Sequence, residues 1–345
     1  MKFHSIDTMK YDFGFRVDTG IGIGSGHFYR CISIADELIN LGKKIVFLVK
    51  NENEILMHFG SRKIPYIILS SNSVEDEITE CKNCLFNIRI LIIDLPFHNE
   101  VYSKLLSTES NIVIIDDQGN KEICSRMLFN GSIVKEYQNY TSKNSSTEFF
   151  LGPEFMILRK EFITMREKIR LSNKPIKKIL LMFGGTDNED LTRKILPFFL
   201  KTNYELDIVL GLSHPHINEI KKLSQKYDNV NVNVAIQDIS SLFSKQDVVI
   251  SSAGITSYEL ACLGIPSILI PTSPHENPTA NELKVGGFGI NYGYWDNDFS
   301  KLEDKISRLS NYKIRKMMFL SGRKIVDGNG LFRVIKKLLS LEKQS

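Results

Sequence analysis

His27 is the residue whose surroundings could do chemistry in this chain. An imidazole takes up a proton near neutral pH, so it is suited to activating a water or a hydroxyl. It follows four glycines at alternate positions, Gly20, Gly22, Gly24 and Gly26, and these follow a short apolar run ending in Asp18. Beyond it, apolar residues recur at Phe28, Cys31, Ile32, Ala35, Leu38 and Ile39, the period of an amphipathic helix, and Gly42 is placed to end that helix. The spacing predicts strand, glycine loop and helix, with His27 at the loop-to-helix corner. In an open α/β sheet this corner lies at the carboxyl end of a strand, where ligands bind, and glycines let a ligand approach the backbone. The same residues would also serve a histidine that only caps its helix or packs on the sheet, and His27 alone leaves both readings open. No glycine fills the third place of a G-x-G-x-x-G counted from any of the four, and no Gly-Lys is followed by Ser or Thr, so neither a dinucleotide fingerprint nor a P-loop is present.

Carboxylates gather where the same edge should be. Asp94 ends the run Ile90–Ile93, and Asp116 and Asp117 follow Ile112–Ile115, so with Asp18 they are expected at the carboxyl edge near His27. Each could merely cap a helix or open a turn; four together imply a polar cleft. In the second half, Gly184, Gly185, Thr186 and Asp187 follow the apolar run Ile179–Phe183, and Ser251–Gly264 reads as strand end, small-residue loop and helix. Small residues at helix N-termini favour an anion such as pyrophosphate, and Glu259 could accept hydrogen bonds from vicinal hydroxyls, as an acidic residue does on a ribose. Tight strand-to-helix turns would use the same glycines.

The elements that must position these residues are short β-branched runs at Ile45–Val49, Tyr66–Leu69, Ile90–Ile93 and Ile112–Ile115, separated by helical stretches around 52–59 and from Val74. They predict a parallel sheet with helices on both faces. The pattern weakens from about Arg126 to Ser146, and Phe149–Phe162 gives a strand, a Gly-Pro turn and a helix start. Ser172–Lys178 is polar and basic with a central proline, which places the domain boundary near 172, giving domains 1–171 and 172–345. The second half repeats the scheme with strands at Ile179–Phe183, Leu206–Gly211, Val248–Ile250 and Ser267–Ile270, and a helix from about Gly330 is expected to pack back on the body. The fold class is α/β, two Rossmann-like domains with parallel sheets and a cleft between them.

A chain of 345 residues is too long for one ordinary core, consistent with that division. A formal net charge of +4 is too small at this length to argue for a nucleic-acid groove or a membrane surface, which leaves small molecules as the expected partners. No apolar run approaches the ~20 residues that span a bilayer, and the N-terminus lacks the apolar core of a signal peptide. The expected location is the cytoplasm. Five cysteines, an odd number, fit reduced thiols. Cys81 and Cys84 form a C-x-x-C with neither a second pair nor a nearby histidine, and read as two thiols on a helix. No metal or cofactor is expected. The oligomeric state is not encoded in these patterns, and a monomer is the default.

The motifs together resemble a family. F-R-V-D-T-G with I-G-x-G-H-x-x-R-C over Phe15–Cys31, L-I-I-D at Leu91–Asp94, I-D-D at Ile115–Asp117, L-G-P-x-x-x-x-L-R-x-E-F from Leu151, F-G-G-T-D-x-x-x-L-T from Phe183, Pro215-His216, and the Ser257–Pro266 block with Glu259 and L-G-I-P follow its order. The resemblance is to the GT-B-like hydrolases that act on UDP-2,4-diacetamido-2,4,6-trideoxy-β-L-altropyranose in pseudaminic acid biosynthesis. It implies metal-independent release of UDP and the free sugar with inversion at the anomeric carbon. Carried over, His27 would be the base or orienter for the attacking water and Asp18 a second catalytic residue, the sugar being bordered by the glycine loop and Asp18, while Gly24, Gly26 and Arg30 would be substrate- or nucleotide-binding. Gly185 and Thr186, with Ala253, Gly254, Thr256 and Ser257, would hold the pyrophosphate; Glu259 would hold the ribose, and Glu276 would be a further substrate contact. Three places depart from the family pattern: Pro96 stands where tyrosine is usual, His275 and Glu276 where an Asn-Gln pair is usual, and Gln118 and Gly119 where an apolar residue and alanine are common. The departures keep a second reading open, a GT-B glycosyltransferase with an acceptor other than water. A third is a binding module without activity, against which the intact glycine loop with His27 argues.

Overall fold

The computed structural model describes residues 10–18, 26–50, 59, 62–96, 99–106, 111–142, 146–212, 214–236 and 238–344. Gly20, Gly22, Gly24 and all of the helix expected around 52–59 except Phe59 lie outside them. The chain divides into two units, one of residues 1–159 and 329–345, the other of residues 160–328.

Unit 1 carries β1 (Tyr11–Val17), α1 (Gly26–Asn40), β2 (Ile45–Lys50), β3 (Tyr66–Leu69), α2 (Val74–Leu85), β4 (Ile88–Asp94), α3 (Asn99–Leu106), β5 (Asn111–Ile115), β6 (Lys121–Glu122), β7 (Met127–Asn130), β8 (Tyr140–Thr141) and β9 (Glu148–Leu151). The main sheet runs β3-β2-β1-β4-β5-β7-β9, every pair parallel. The order reverses between β1 and β4, the point at which open α/β sheets bind ligands. Because side chains alternate across a strand, Phe13, Phe15 and Val17 face α1, and Leu91 and Ile93 face α2 on the other side. Met127–Asn130, in the stretch where the sequence pattern weakens, is a fully buried strand; its four residues are too few to show a period.

Unit 2 carries α4 (Lys160–Lys168), β10 (Lys178–Met182), α5 (Leu191–Phe199), β11 (Glu205–Leu210), α6 (Ile217–Ser224), β12 (Val230–Val234), α7 (Ile239–Phe243), β13 (Val248–Ser251), α8 (Ile255–Leu263), β14 (Ser267–Leu269), α9 (Glu276–Val285), β15 (Ile290–Asn291), α10 (Leu302–Leu309) and α11 (Tyr312–Ile325). Its sheet, β12-β11-β10-β13-β14-β15, is again all parallel and again reverses, here between β10 and β13. Helix α8 is apolar nearly all round, Ser257 through Leu263 being buried. A helix without a polar face must be covered on every side. Helix α11 does so closely, since a Cβ on Gly322 would come within 2.8 Å of the Ala261 carbonyl.

The boundary expected near 172 falls instead between Arg159 and Lys160, and the chain end returns to unit 1. Two contacts explain this. Arg166 on α4 donates to the carbonyls of Cys262, Val326 and Arg323, which satisfies the open C-terminal ends of α8 and α11 and ties α4 to unit 2. The last helix, α12 (Gly330–Gln344), buries Leu331, Val334, Ile335, Leu338 and Leu341 in the cluster that holds Phe28, Cys31 and Leu38 of α1. The polar proline segment at 172–178 is a surface connection within unit 2, not a hinge between units.

Candidate active site

In unit 1 the site begins with β4. Asp94 pairs in register with Val17 and shares the parity of Ile90 and Ile92, so it faces α1. There His27 and Arg30, three residues apart and therefore on one face of the helix, both reach it. His27 Nδ1 lies 2.7 Å from Asp94 Oδ1. Arg30 Nε and Nη2 donate to the two carboxylate oxygens at 2.5 and 2.6 Å, and Nη1 donates at 2.8 Å to both oxygens of Asp117. Burial alone would raise the Asp94 carboxyl, but Arg30 first and His27 next outweigh it and hold it well below the usual carboxylate range. Asp94 is therefore ionised and only accepts, while Arg30 only donates. His27 Nδ1 lies between Asp94 Oδ1 at 2.7 Å and Arg30 Nη2 at 3.0 Å; the shorter contact, to a group that only accepts, puts the hydrogen on Nδ1, and in the neutral imidazole Nε2 is left as the basic atom. Burial, with Asp94 beside it, pushes the thiol of neighbouring Cys31 up.

The four carboxylates expected together separate into three groups. Asp94 and Asp117 join His27 and Arg30. Asp18 continues the parity of Arg16, which is opposite to that of Asp94, and lies on the α2 side of the sheet. Arg16, 1% exposed, grips Asp18 through Nη1 at 2.6 Å and also binds Glu77, which takes the hydroxyl of Tyr102 and the amine of Lys50. Asp116 turns to Lys121 at 2.6 Å and to the hydroxyl of Tyr140 at 2.7 Å. It also accepts the backbone N–H groups of Gln118 and Gly119, so that departure from the family pattern forms a turn. Gly119, at φ +69°, lies against the backbone of Tyr137 with no room for a side chain. Sequence reasoning passed over Arg16, Glu77 and Tyr102; the parity of residues 16 and 18 was the available signal. Arg30, assigned to substrate or nucleotide binding, directs its guanidinium at protein partners, and Gly26 is the first residue of α1.

In unit 2, Gly184 has φ +76°, and around Gly184 and Gly185 nothing lies within 4 Å of where a Cβ would stand. Gly185 is an exposed backbone with room beside it, followed by half-buried Thr186. The N-terminus of α5 is not an open anion site, contrary to the reading of F-G-G-T-D: Asp187 occupies it, accepting from the N–H groups of Leu191 and Thr192 at 2.9 and 2.8 Å. The loop before α8 is different. Ala253 N–H donates at 3.3 Å to Glu276, which also takes Thr272 N–H and Oγ1 at 2.8 and 2.9 Å. Glu276 thus braces the Ala253–Gly254 loop against the β14–α9 loop, with Oε1 3.1 Å from the place of a Gly254 Cβ. Ser257 turns its hydroxyl back to Gly254 O at 2.7 Å, half-buried Thr256 stands in the first turn of α8, and Glu259 is buried on it. Cys81 and Cys84 are buried on α2, burial pushing the Cys81 thiol up to about 12. Among the described residues no group of His, Cys, Asp and Glu is arranged to hold a metal ion, and no helix is long and apolar enough to cross a membrane.

Residues 179–319 match the glycosyltransferase family 28 C-terminal domain. The chain is 26% identical to an uncharacterised protein of Methanocaldococcus jannaschii over 73% of its own length, and it spans about half, 54%, of that protein. It is 25% identical to the spore coat polysaccharide biosynthesis protein SpsG of Bacillus subtilis, covering 96% of this chain and 98% of that one. It is 23% identical to the UDP-2,4-diacetamido-2,4,6-trideoxy-β-L-altropyranose hydrolase of Campylobacter jejuni, covering 81% and 98%. Among solved structures, MurG of Acinetobacter baumannii superposes with a TM-score of 0.67 at 14% identity, over 95% of this chain and 99% of that one. Anabaena HepE in complex with UDP-glucose does so with a TM-score of 0.61 at 11% identity, over 96% and 99%. The fold is GT-B.

Proposed function

We propose that this GT-B protein is a nucleotide-sugar enzyme of glycan biosynthesis, and that its reaction is hydrolysis of UDP-2,4-diacetamido-2,4,6-trideoxy-β-L-altropyranose. The observation that carries the chemical step is the Asp94–His27 pair at the carboxyl edge of unit 1, beside the β1/β4 reversal. His27 Nε2 takes a proton from water as the water oxygen bonds to the anomeric carbon; the bond from that carbon to the UDP oxygen breaks, its electron pair leaves with UDP, and the configuration inverts. Unit 2 takes the nucleotide. The diphosphate lies beside the open backbone of Gly184 and Gly185, next to Thr186, and the Ala253–Ser257 loop, and Glu259 receives the ribose hydroxyls. Likeness to the Campylobacter hydrolase over nearly its whole length supports the substrate, and the family 28 match over 179–319 supports nucleotide-sugar binding by unit 2. Arg30 is reassigned here from substrate binding to positioning Asp94 and His27, and Asp18 from catalysis to the packing of β1 on α2, because their partners are protein atoms.

The family 28 match also favours a second reading, transfer of the sugar to an acceptor hydroxyl by the same base. One experiment separates them: NMR of the protein with the UDP-sugar, no acceptor and a chelator. Release of UDP and the inverted free sugar is expected, and His27→Asn should slow it by on the order of a hundredfold or more while UDP still binds. An intact substrate with bound UDP turns the assignment to the transferase, and a wild-type rate in His27→Asn removes His27 from the chemistry.

A further inference from the structure

Asp187 and His214 are buried at the carboxyl edge of unit 2, at 4% exposure each, and the proposed reaction uses neither. They join the loop after β10 to the loop after β11. His214 Nδ1 accepts the backbone N–H of His216 at 3.1 Å, which fixes the ring so that Nε2 carries the hydrogen. That Nε2–H is directed at Asp187 Oδ2 from 3.5 Å, a long contact between a neutral ring N–H and a carboxylate, and among the described residues it has no hydrogen-bond partner. The other Asp187 contacts are the N–H groups of Leu191 and Thr192. One carboxylate thus holds the start of α5 and the ring of His214 together.

The loop it holds is backbone under constraint. Asp187 and Asp190 have φ of +44° and +54°, and Gly184 +76°, all in the left-handed region that side chains avoid. A Cβ on Gly211 would collide with the Gly185 carbonyl, so the two loops touch main chain to main chain. Such a conformation persists only where its surroundings over-determine it. In the segment so fixed, Gly184 and Gly185 have free space where a side chain would stand.

We propose that Asp187 and His214 are positioning residues of the nucleotide site, a buried latch between the β10 and β11 loops that sets the Gly184–Thr186 backbone in the shape that receives the diphosphate. This rests on the reading of unit 2 as the UDP-binding unit. The latch touches no reacting atom, so it acts on binding and not on the chemical step.

The test is calorimetric titration of UDP into the full chain, with steady-state hydrolysis of the UDP-sugar and a thermal melt of each protein. His214→Leu removes both nitrogens, and His214→Gln keeps an acceptor for the His216 N–H and a donor for Asp187. Asp187→Asn keeps an acceptor for α5 without the charge, and carries the test where His214→Leu does not fold. His214→Leu and Asp187→Asn are expected to raise the Kd for UDP and the KM by about tenfold with kcat within about twofold, the pattern of lost preorganisation. His214→Gln should return the Kd to within about threefold of wild type. A lowered melting temperature with unchanged UDP affinity makes the pair merely structural and overturns the latch, as does a fall in kcat at unchanged Kd. Wild-type protein that fails to bind UDP overturns the nucleotide reading itself, and the latch with it.

Discussion

At the scale of single residues the chemistry of unit 1 depends on which atom of His27 is protonated, and that is decided by Asp94. A buried carboxylate needs compensation, and Arg30 supplies it through a fork that lysine cannot copy. Asp94→Asn puts an amide where an ionised acceptor stood, so the imidazole loses the contact that fixes its tautomer. We expect kcat to fall by on the order of a hundredfold or more, with UDP affinity unchanged. Arg30→Met leaves Asp94 buried without its main counter-charge, only His27 remaining beside it, and should cost roughly 3–5 kcal/mol of unit 1 stability in urea unfolding. Full activity in Asp94→Asn would remove Asp94 from control of the tautomer. Stability unchanged in Arg30→Met would mean that Asp94 is compensated by something other than the guanidinium. Asp18 has a different place: gripped by Arg16 on the opposite face of the sheet, it serves the packing of β1 on α2.

At the scale of elements, strands were legible wherever a β-branched run ended in a polar residue, as at Asp94 and Asp116, and helices wherever the 3.6-residue period was long, as in α1. That both main sheets are parallel follows from that alternation; their strand order does not. Side-chain direction was legible only through strand parity, and it explains why carboxylates placed at one edge by spacing fall into separate groups. The closed N-terminus of α5 was not legible, because a loop that opens to an anion and one capped by its own aspartate share the same glycines. Nor was the pairing of the β10 and β11 loops, which depends on the absence of a Cβ at Gly211, twenty-six residues beyond its neighbour Gly185. That contact yields a prediction. Gly211→Ala forces a methyl into the Gly185 carbonyl, a backbone atom that cannot rotate away, and should destabilise unit 2 by about 1–3 kcal/mol, read as a lower urea midpoint with the same slope. An unchanged midpoint would show that these loops separate without cost and are not held main chain to main chain.

At the scale of the whole molecule, the chain leaves unit 1 at Arg159, builds unit 2, and comes back with α12. The return is structural, since Gly330 passes so close to the Met156 backbone that a Cβ would not fit, and Lys43 on the turn after α1 pairs with Glu342 at 2.7 Å. Leu331, Val334, Ile335, Leu338 and Leu341 are each at most 5% exposed. Full burial of such a side chain is worth about 1.5–3 kcal/mol, so five of them supply on the order of 10 kcal/mol, as much as the net stability of a typical domain. A chain ending at Gly328 should therefore lose the cooperative unfolding of unit 1 and bind an apolar dye, while residues 160–328, which contain their own sheet and the helices that cover α8, should unfold cooperatively on their own. Cutting at 171/172 should do worse, because it takes Arg166 from the carbonyls of Cys262, Arg323 and Val326 and leaves unit 1 without its last helix. If the chain ending at Gly328 kept the unit 1 transition at its full-length midpoint, α12 would be an appendage and the burial of its five apolar residues would contribute little to that core.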